Sequence, residues 1–237
     1  MNYLDPKNNK PNLEFELKTH NENNSNFFIG VDEVGRGSWA GPIVACACWI
    51  NPKEFENLPV NIKDSKKLSH KNKNKIFEES QKICLASTAV SSSYEIDKFG
   101  LTISNNLAIR RSLHSLLNTL NFKYHQSDKK FSIYLDGNVI PDFNTINKVR
   151  TTLPELPNHK ITTIVKGDDK IVSISLASII AKVTRDLLMK NYDKMFPIYD
   201  FKNNVGYGTK HHRKIIESKG ICKIHRKSFK PINTIFS

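Results

Sequence analysis

Phe27-Phe28-Ile29-Gly30-Val31-Asp32-Glu33-Val34-Gly35-Arg36-Gly37 sets two adjacent carboxylates, Asp32 and Glu33, between an apolar run and a Gly-Arg-Gly turn. Adjacent acids at a rigid strand end repel one another, and a divalent cation is the partner that relieves this. The glycines let backbone approach a ligand that any side chain would keep away. Acids for a metal beside a backbone-reading surface point to chemistry on a phosphodiester. Two further acids follow later apolar runs: Asp136 in Leu135-Asp136-Gly137 and Asp168 in Val165-Lys166-Gly167-Asp168. Open α/β sheets place their sites at strand ends. Carboxylates converging there suit magnesium or manganese, which take oxygen donors. Neighbouring strand residues point to opposite faces, so Asp32 and Glu33 share a site only if the strand ends or bends at Glu33. Asp136-Gly137 reads equally well as an ordinary turn.

Other groups are weaker candidates. Asp186, beside Lys182 and Arg185, reads as a helix-surface acid or a support for the site. His211 and His212 lie in a basic stretch with Arg213 and read as phosphate contacts or plain surface, ahead of metal or acid–base work. Ser91-Ser92-Ser93 has no His and acid pattern to go with it, which argues against Ser-His-Asp hydrolysis.

To hold these acids the chain needs strands, and the apolar runs supply them at residues 27–32, 42–50, 85–93, 131–135 and 161–165. The second run is almost wholly apolar and is expected to be buried on both faces. Helices are expected over 71–84, capped by Ser69, over 104–120, where leucines recur at helical spacing, over 174–195, and near 210–218. Early strands followed by alternating helices and strands predict an α/β fold with a mixed sheet and a helical C-terminal part. Residues 1–26 are polar and Asn-rich and read as a flexible arm, with part of 13–17 available to pack on the domain. Residues 27–237 then form one catalytic domain.

The chain has 237 residues and a formal net charge of +13, from 36 Lys and Arg against 23 acids. That excess favours a polyanion, either nucleic acid or an anionic membrane, over a merely solvated basic surface. With no basic amphipathic helix carrying large apolar anchors, nucleic acid is the better reading. The four cysteines, Cys46, Cys48, Cys84 and Cys222, lack Cys-x-x-Cys or zinc-finger spacing, so they read as core residues in a reducing compartment. No signal peptide or transmembrane run stands out, and a cytoplasmic location is expected.

The chain resembles bacterial ribonuclease HII, the type 2 RNase H family, from about Phe27 to the C-terminus. The resemblance is carried by Gly30 to Gly37, Ala40-Gly41-Pro42, Asp64-Ser65-Lys66-Lys67-Leu68, Leu135-Asp136-Gly137, Val165-Lys166-Gly167-Asp168, Ala177 to Asp186, Gly206-Tyr207-Gly208-Thr209 and His225-Arg226-Lys227-Ser228-Phe229, in the family's order. It implies an RNase H-like fold with a mixed five-stranded sheet flanked by helices. The implied activity is metal-dependent cleavage of RNA in RNA–DNA hybrid duplexes and 5′ to ribonucleotides embedded in duplex DNA. The family's acids fall on Asp32, Glu33, Asp136 and Asp168, holding two Mn2+ or Mg2+ ions. Its 2′-hydroxyl reader falls on Gly35, Arg36 and Gly37, its junction tyrosine on Tyr207, and a phosphate-contacting lysine on Lys66 or Lys67. A monomer is expected.

The chain also departs from the family pattern. After Ile96-Asp97, Lys98-Phe99-Gly100-Leu101 stands where an Asn-Ile is usual, leaving Asn105 or Asn106 as substitutes for a phosphate-contacting Asn. Val205 stands where a lysine is common before Gly206-Tyr207. A non-catalytic nucleic-acid binder of the same fold is the competing class, but it would have lost acids that are all present here. A DNA-directed nuclease such as a resolvase is a second rival, and the Gly-Arg-Gly turn and Tyr207 argue against it.

Overall fold

The structure is a computed structural model and describes residues 11–13, 16–18, 27–59, 62, 68–124, 131–143 and 160–235. Its sheet has five strands: β1 (Phe27–Val34), β2 (Ile43–Ile50), β3 (Cys84–Ser91), β4 (Phe131–Asp136) and β5 (Lys160–Ile164), in the order β3-β2-β1-β4-β5. β1 pairs antiparallel with β2, and β2 with β3, while β1–β4 and β4–β5 are parallel. The mixed sheet expected from the sequence is therefore present, with β1 at its centre.

The described helices are α1 (His70–Ile83), α2 (Ser93–Phe99), α3 (Leu101–Tyr124), α4 (Val172–Met195), α5 (Phe201–Asn204), α6 (Lys210–Lys219) and α7 (Ile232–Ile235). Ser69 caps α1 as expected, accepting from the Asn72 N–H. A Ser92–Glu95 capping box starts α2. All eight residues of β2 are buried. Val44, Cys46 and Cys48 face Leu176, Ala177 and Ile180 of α4 on one side of the sheet. Ala45 and Ala47 of β2, with Ile29 and Val31 of β1, face Leu113, Leu116 and Leu120 of α3 on the other. A third cluster joins Ala40 and Met189 to Tyr199, Phe201 and Ile216 in the C-terminal part.

α4 comes so close to β1 that a Cβ on Gly30 would run into the backbone of Ser173 and Ile174. Its N-cap residue, Ile171, has no side chain able to accept a hydrogen bond. Glu16 fills that role from outside, its Oε1 accepting from the Ser173 N–H at 2.8 Å. Asn12 forms a β-bridge with Ile171, and Leu13 and Glu16 are each 2% exposed. The packing allowed for part of 13–17 is present at Leu13 and Glu16, and the reading of residues 1–26 as a flexible arm gives way at 11–13 and 16–18, which belong to the packed domain. The rest of that segment lies outside the described residues. No described helix is long and apolar enough to cross a membrane.

Burial pushes the Glu16 carboxyl up from 4.5 to about 7, against the pull of the Ser173 N–H. Between those values the folded chain binds more protons than the unfolded chain. The stabilisation is complete below pH 4.5 and is lost as pH rises through 7, by up to about 3 kcal/mol. Glu16→Gln keeps the acceptor and removes the charge. Its melting temperature should exceed that of the wild type most above pH 7, with the gap closing towards pH 5; a gap independent of pH would show that the carboxyl does not titrate in this way.

Candidate active site

Three of the sequence-predicted acids lie close enough to act on one another electrostatically where β1 and β4 run side by side. β1 does not end at Glu33: it continues to Val34, with Asp32 opposite Cys46 and Glu33 opposite Ala45. The bend comes one residue later, at Gly35, where φ is +92°. Alternation along the strand therefore holds, and the two acids leave opposite faces of the sheet. Asp32 faces α4, where the Ser178 hydroxyl favours its charged form, and its Oδ1 accepts from the Glu33 N–H at 2.7 Å. Glu33 faces α3, where the Asn105 amide favours its charged form, and its Oε1 pairs with Arg36 Nη1 at 3.2 Å.

Asp136 ends β4 and acts electrostatically on both. Burial, then the Glu33 and Asp136 charges, hold the Asp32 carboxyl well above the usual range. Burial also raises the Glu33 carboxyl; Arg36 pulls it back and Asp136 adds to the rise. Asp136 Oδ1 accepts from the Gly167 N–H at 2.7 Å, which ties the β4 end to the Gly167–Asp169 turn after β5. Asp168 sits buried in that turn. Among the described residues, no group of three or more His, Cys, Asp or Glu side chains closes tightly enough to form a ready-made ion cage.

The glycines of the Gly-Arg-Gly turn serve different purposes. A Cβ on Gly35 would land on the Arg185 side chain, whereas Gly37 faces open space. Tyr207 lies between α5 and α6 and is 37% exposed. Its carbonyl accepts from the Thr209 N–H at 2.8 Å and meets His212 Nδ1 at 2.9 Å. That carbonyl can only accept, so His212 carries its proton on Nδ1. His212 Nε2 must then accept from His225 Nε2, 3.0 Å away, and His225 Nδ1 accepts from the Cys222 N–H at 3.0 Å. The chain of bonds is complete only with both rings neutral.

His212 is therefore a buried structural residue, and its reading as a phosphate contact or surface group is corrected; His211 is exposed. Asp186 bonds Lys182 at 2.7 Å, a support role on α4. Asn105 holds Glu33, and Asn106 donates to the Asp142 carbonyl at 3.4 Å. Lys66 and Lys67 lie outside the described residues. Sequence reasoning passed over Ser178 and gave no role to Arg185 or Arg226, both fully buried beneath the reader turn. A signal for Arg185 existed: it continues the apolar face Ile174, Ala177, Ala181, where an arginine can only be buried.

This sheet order, with acids at neighbouring strand ends, places the chain among the RNase H-like enzymes. The ribonuclease H2 of Pyrococcus horikoshii OT3 has the same fold, with a TM-score of 0.67 and 25% identity over 88% of this chain and 96% of that one. So does Bst-RNase HIII, solved in complex with Mn2+, with a TM-score of 0.70 and 18% identity over 90% of this chain and 70% of that one. The chain belongs to the ribonuclease HII family, whose family model matches residues 29–232. Ribonuclease HII of Fusobacterium nucleatum subsp. nucleatum is 40% identical over 203 residues, covering 85% of this chain and 84% of the relative. That of Mycoplasma mycoides subsp. mycoides SC is 37% identical over 213 residues, covering 90% of each. The chain is accordingly a ribonuclease H.

Burial, and then His212, lower the His225 pKa from 6.5 to about 4; burial lowers that of His212 too. A depressed histidine contributes stability that is present above pH 6.5 and lost as pH falls towards 4, by up to about 3 kcal/mol. The sign is opposite to that of Glu16, so single variants are needed to separate the two. His225→Asn should be less stable at pH 7, by about 1–3 kcal/mol. Its denaturation midpoint should also fall less between pH 7 and 4.5 than that of the wild type. Parallel curves would mean that His225 is not the titrating group.

Proposed function

We propose that this ribonuclease H cleaves the RNA strand of RNA–DNA hybrids and cuts 5′ to ribonucleotides embedded in duplex DNA, leaving 5′-phosphate and 3′-hydroxyl ends. It would act as a cytoplasmic monomer with two divalent ions, Mn2+ or Mg2+. The observation that supports this reading best is the electrostatic coupling of Asp32, Glu33 and Asp136 at adjacent strand ends. Like charges that raise one another's protonation are the setting in which a cation binds with most relief.

Asp32, Glu33, Asp136 and Asp168 would hold the ions. They fit by donor type and charge, and magnesium keeps several waters, so one or two carboxylates for each ion suffice. Ions held by these carboxylates would supply Lewis-acid charge stabilisation for an attacking water and a leaving 3′-oxygen. The protein then has to hold these acids and orient the strand. Ser178 and Asn105 would favour the charged forms of Asp32 and Glu33 on their separate faces, and the Gly167 N–H holds Asp136.

Recognition would fall to the turn and the loop. Main-chain groups of Gly35, Arg36 and Gly37 can donate to and accept from a ribose 2′-hydroxyl, the group that separates RNA from DNA. The open space over Gly37 leaves room for that approach. Lys66 or Lys67 would contact phosphate. The half-exposed Tyr207 ring would pack on the deoxyribose that follows a ribonucleotide, where no 2′-hydroxyl obstructs it. The net charge of +13 suits a duplex backbone.

Asp136→Asn keeps an acceptor for the Gly167 N–H, so the turn should survive. Turnover should fall roughly a thousandfold or more, the scale of several kcal/mol of transition-state stabilisation, with folding and duplex binding nearly intact. Near-normal cleavage in magnesium would remove Asp136 from the site and favour a non-catalytic role for the acid cluster. Tyr207→Ala should cut catalytic efficiency at a lone ribonucleotide in DNA far more than on a continuous hybrid. An equal loss on both substrates would reduce the tyrosine to a loop-packing residue.

A further inference from the structure

Arg185, on α4, and Arg226, beyond α6, are both 0% exposed. Burying a guanidinium is costly, and it is normally offset by a carboxylate. Here the hydrogen bonds run to backbone carbonyls and one hydroxyl. Arg226 Nη1 donates to the Arg36 carbonyl at 2.7 Å and Nη2 to the Gly35 carbonyl at 2.6 Å, while Nε and Nη2 both reach the Gly41 carbonyl, at 3.0 and 2.9 Å. Arg185 donates to the Pro42 carbonyl at 3.0 Å, the Ala40 carbonyl at 3.1 Å and Ser38 Oγ at 2.8 Å. The segment from Gly35 to Pro42 is thus gripped along its length from beneath.

Arg185 also reaches the second substrate-facing loop. Its Nη1 donates to the Val205 carbonyl at 2.8 Å, and its guanidinium lies 5.6 Å from the centre of the Tyr207 ring. Val205 is β-branched and has φ of +43°, a conformation that costs energy and persists only where surrounding contacts impose it. The two loops are also bonded directly, since the Trp39 and Ala40 N–H groups donate to the Gly206 carbonyl at 2.8 and 3.2 Å. Gly208 packs flat on the Trp39 ring, where a Cβ would collide. Arg36, by contrast, points outward to Glu33.

We propose that Arg185 and Arg226 are positioning residues that lock the Gly35–Arg36–Gly37 turn and the Gly206–Tyr207–Gly208 loop into one rigid body, and so set the fixed span needed to read a ribonucleotide followed by a deoxyribonucleotide. This rests on the proposed roles of that turn and of Tyr207. A planar fork is required, because each arginine bonds several carbonyls in different directions; a lysine ammonium is a single point. The clamp acts on discrimination rather than on duplex affinity, since neither guanidinium is exposed to a phosphate. Asp97 fastens the clamp from outside: its carboxylate accepts from the Lys227 and Ser228 N–H groups, each at 2.9 Å, next to Arg226 in the chain.

The test uses the full chain and its Arg185→Lys, Arg226→Lys and Asp97→Ala variants, with folding checked by circular dichroism and melting temperature. Affinity is measured in calcium for a duplex with one ribonucleotide and for its all-DNA counterpart, and kcat and KM are measured in magnesium on the first. The wild type should prefer the ribonucleotide duplex. In the folded lysine variants that preference should shrink on the order of tenfold through weaker binding of the ribonucleotide duplex, with KM on that duplex rising in step, and kcat should fall ten- to a hundredfold, while all-DNA affinity stays close to wild type. A merely structural role would lower the active fraction and leave the preference unchanged. If the lysine variants do not fold, Asp97→Ala decides, with a smaller loss of preference in the same direction. Folded variants that keep the wild-type preference would overturn the clamp while leaving the reader turn in place. A wild type without any preference would overturn the reader turn itself, and the clamp with it.

Discussion

The close packing of β1 against α4 at Gly30 is the contact on which the rest of the molecule depends. No side chain fits between strand and helix there. Because α4 runs without interruption from Val172 to Met195, its register against β1 fixes three things at once. Ser178 meets Asp32 in the middle of the contact. Arg185, two helical turns further on, packs against Gly35 and bonds the Pro42 carbonyl. At the N-terminal end, the exposed first amides of the helix are left for Glu16 to accept from.

The acids are placed by an economy of topology. Alternation would separate Asp32 from Glu33, and it does. What brings the pair into one field is the parallel neighbour β4, whose last residue, Asp136, stands beside the point where β1 runs on past its partner. Each acid is held from its own side of the sheet, by α4 or by α3. The Arg36 side chain offsets part of the repulsion from the solvent side. Under the proposed function, acids held this rigidly and raising one another's protonation are the setting in which a cation would bind with most relief.

The C-terminal part does more than cover the sheet. It inserts Arg226 under the Gly-Arg-Gly turn and places the neutral His212–His225 pair under the Tyr207 carbonyl. Polar groups buried this fully are tolerated because nearly every donor finds an acceptor of fixed direction. The same completeness makes the loops rigid. The apolar cluster of Ala40, Met189, Tyr199, Phe201 and Ile216 then shields these bonds from water.

The five strands, the long helices and the strand-end acids were legible in the sequence because each depends on a local property: apolar runs, helical spacing, and charge next to glycine. Residues 12–17 were harder to read, since a polar composition hides one buried leucine and one buried glutamate, and the glutamate's partner, Ser173, lies 157 positions away. His212 and Arg226 were misread or unassigned for the same reason: an isolated histidine or arginine in a basic stretch looks like surface. The sequence by itself determined which residue types stand at strand ends and that the chain is a ribonuclease H of this kind. Only the tertiary structure decided that Asp32 and Glu33 face opposite sides, and that two arginines hold the reading loops together. Both outcomes follow from contacts between segments remote in the chain, and no local pattern of apolar spacing or charge encodes those contacts.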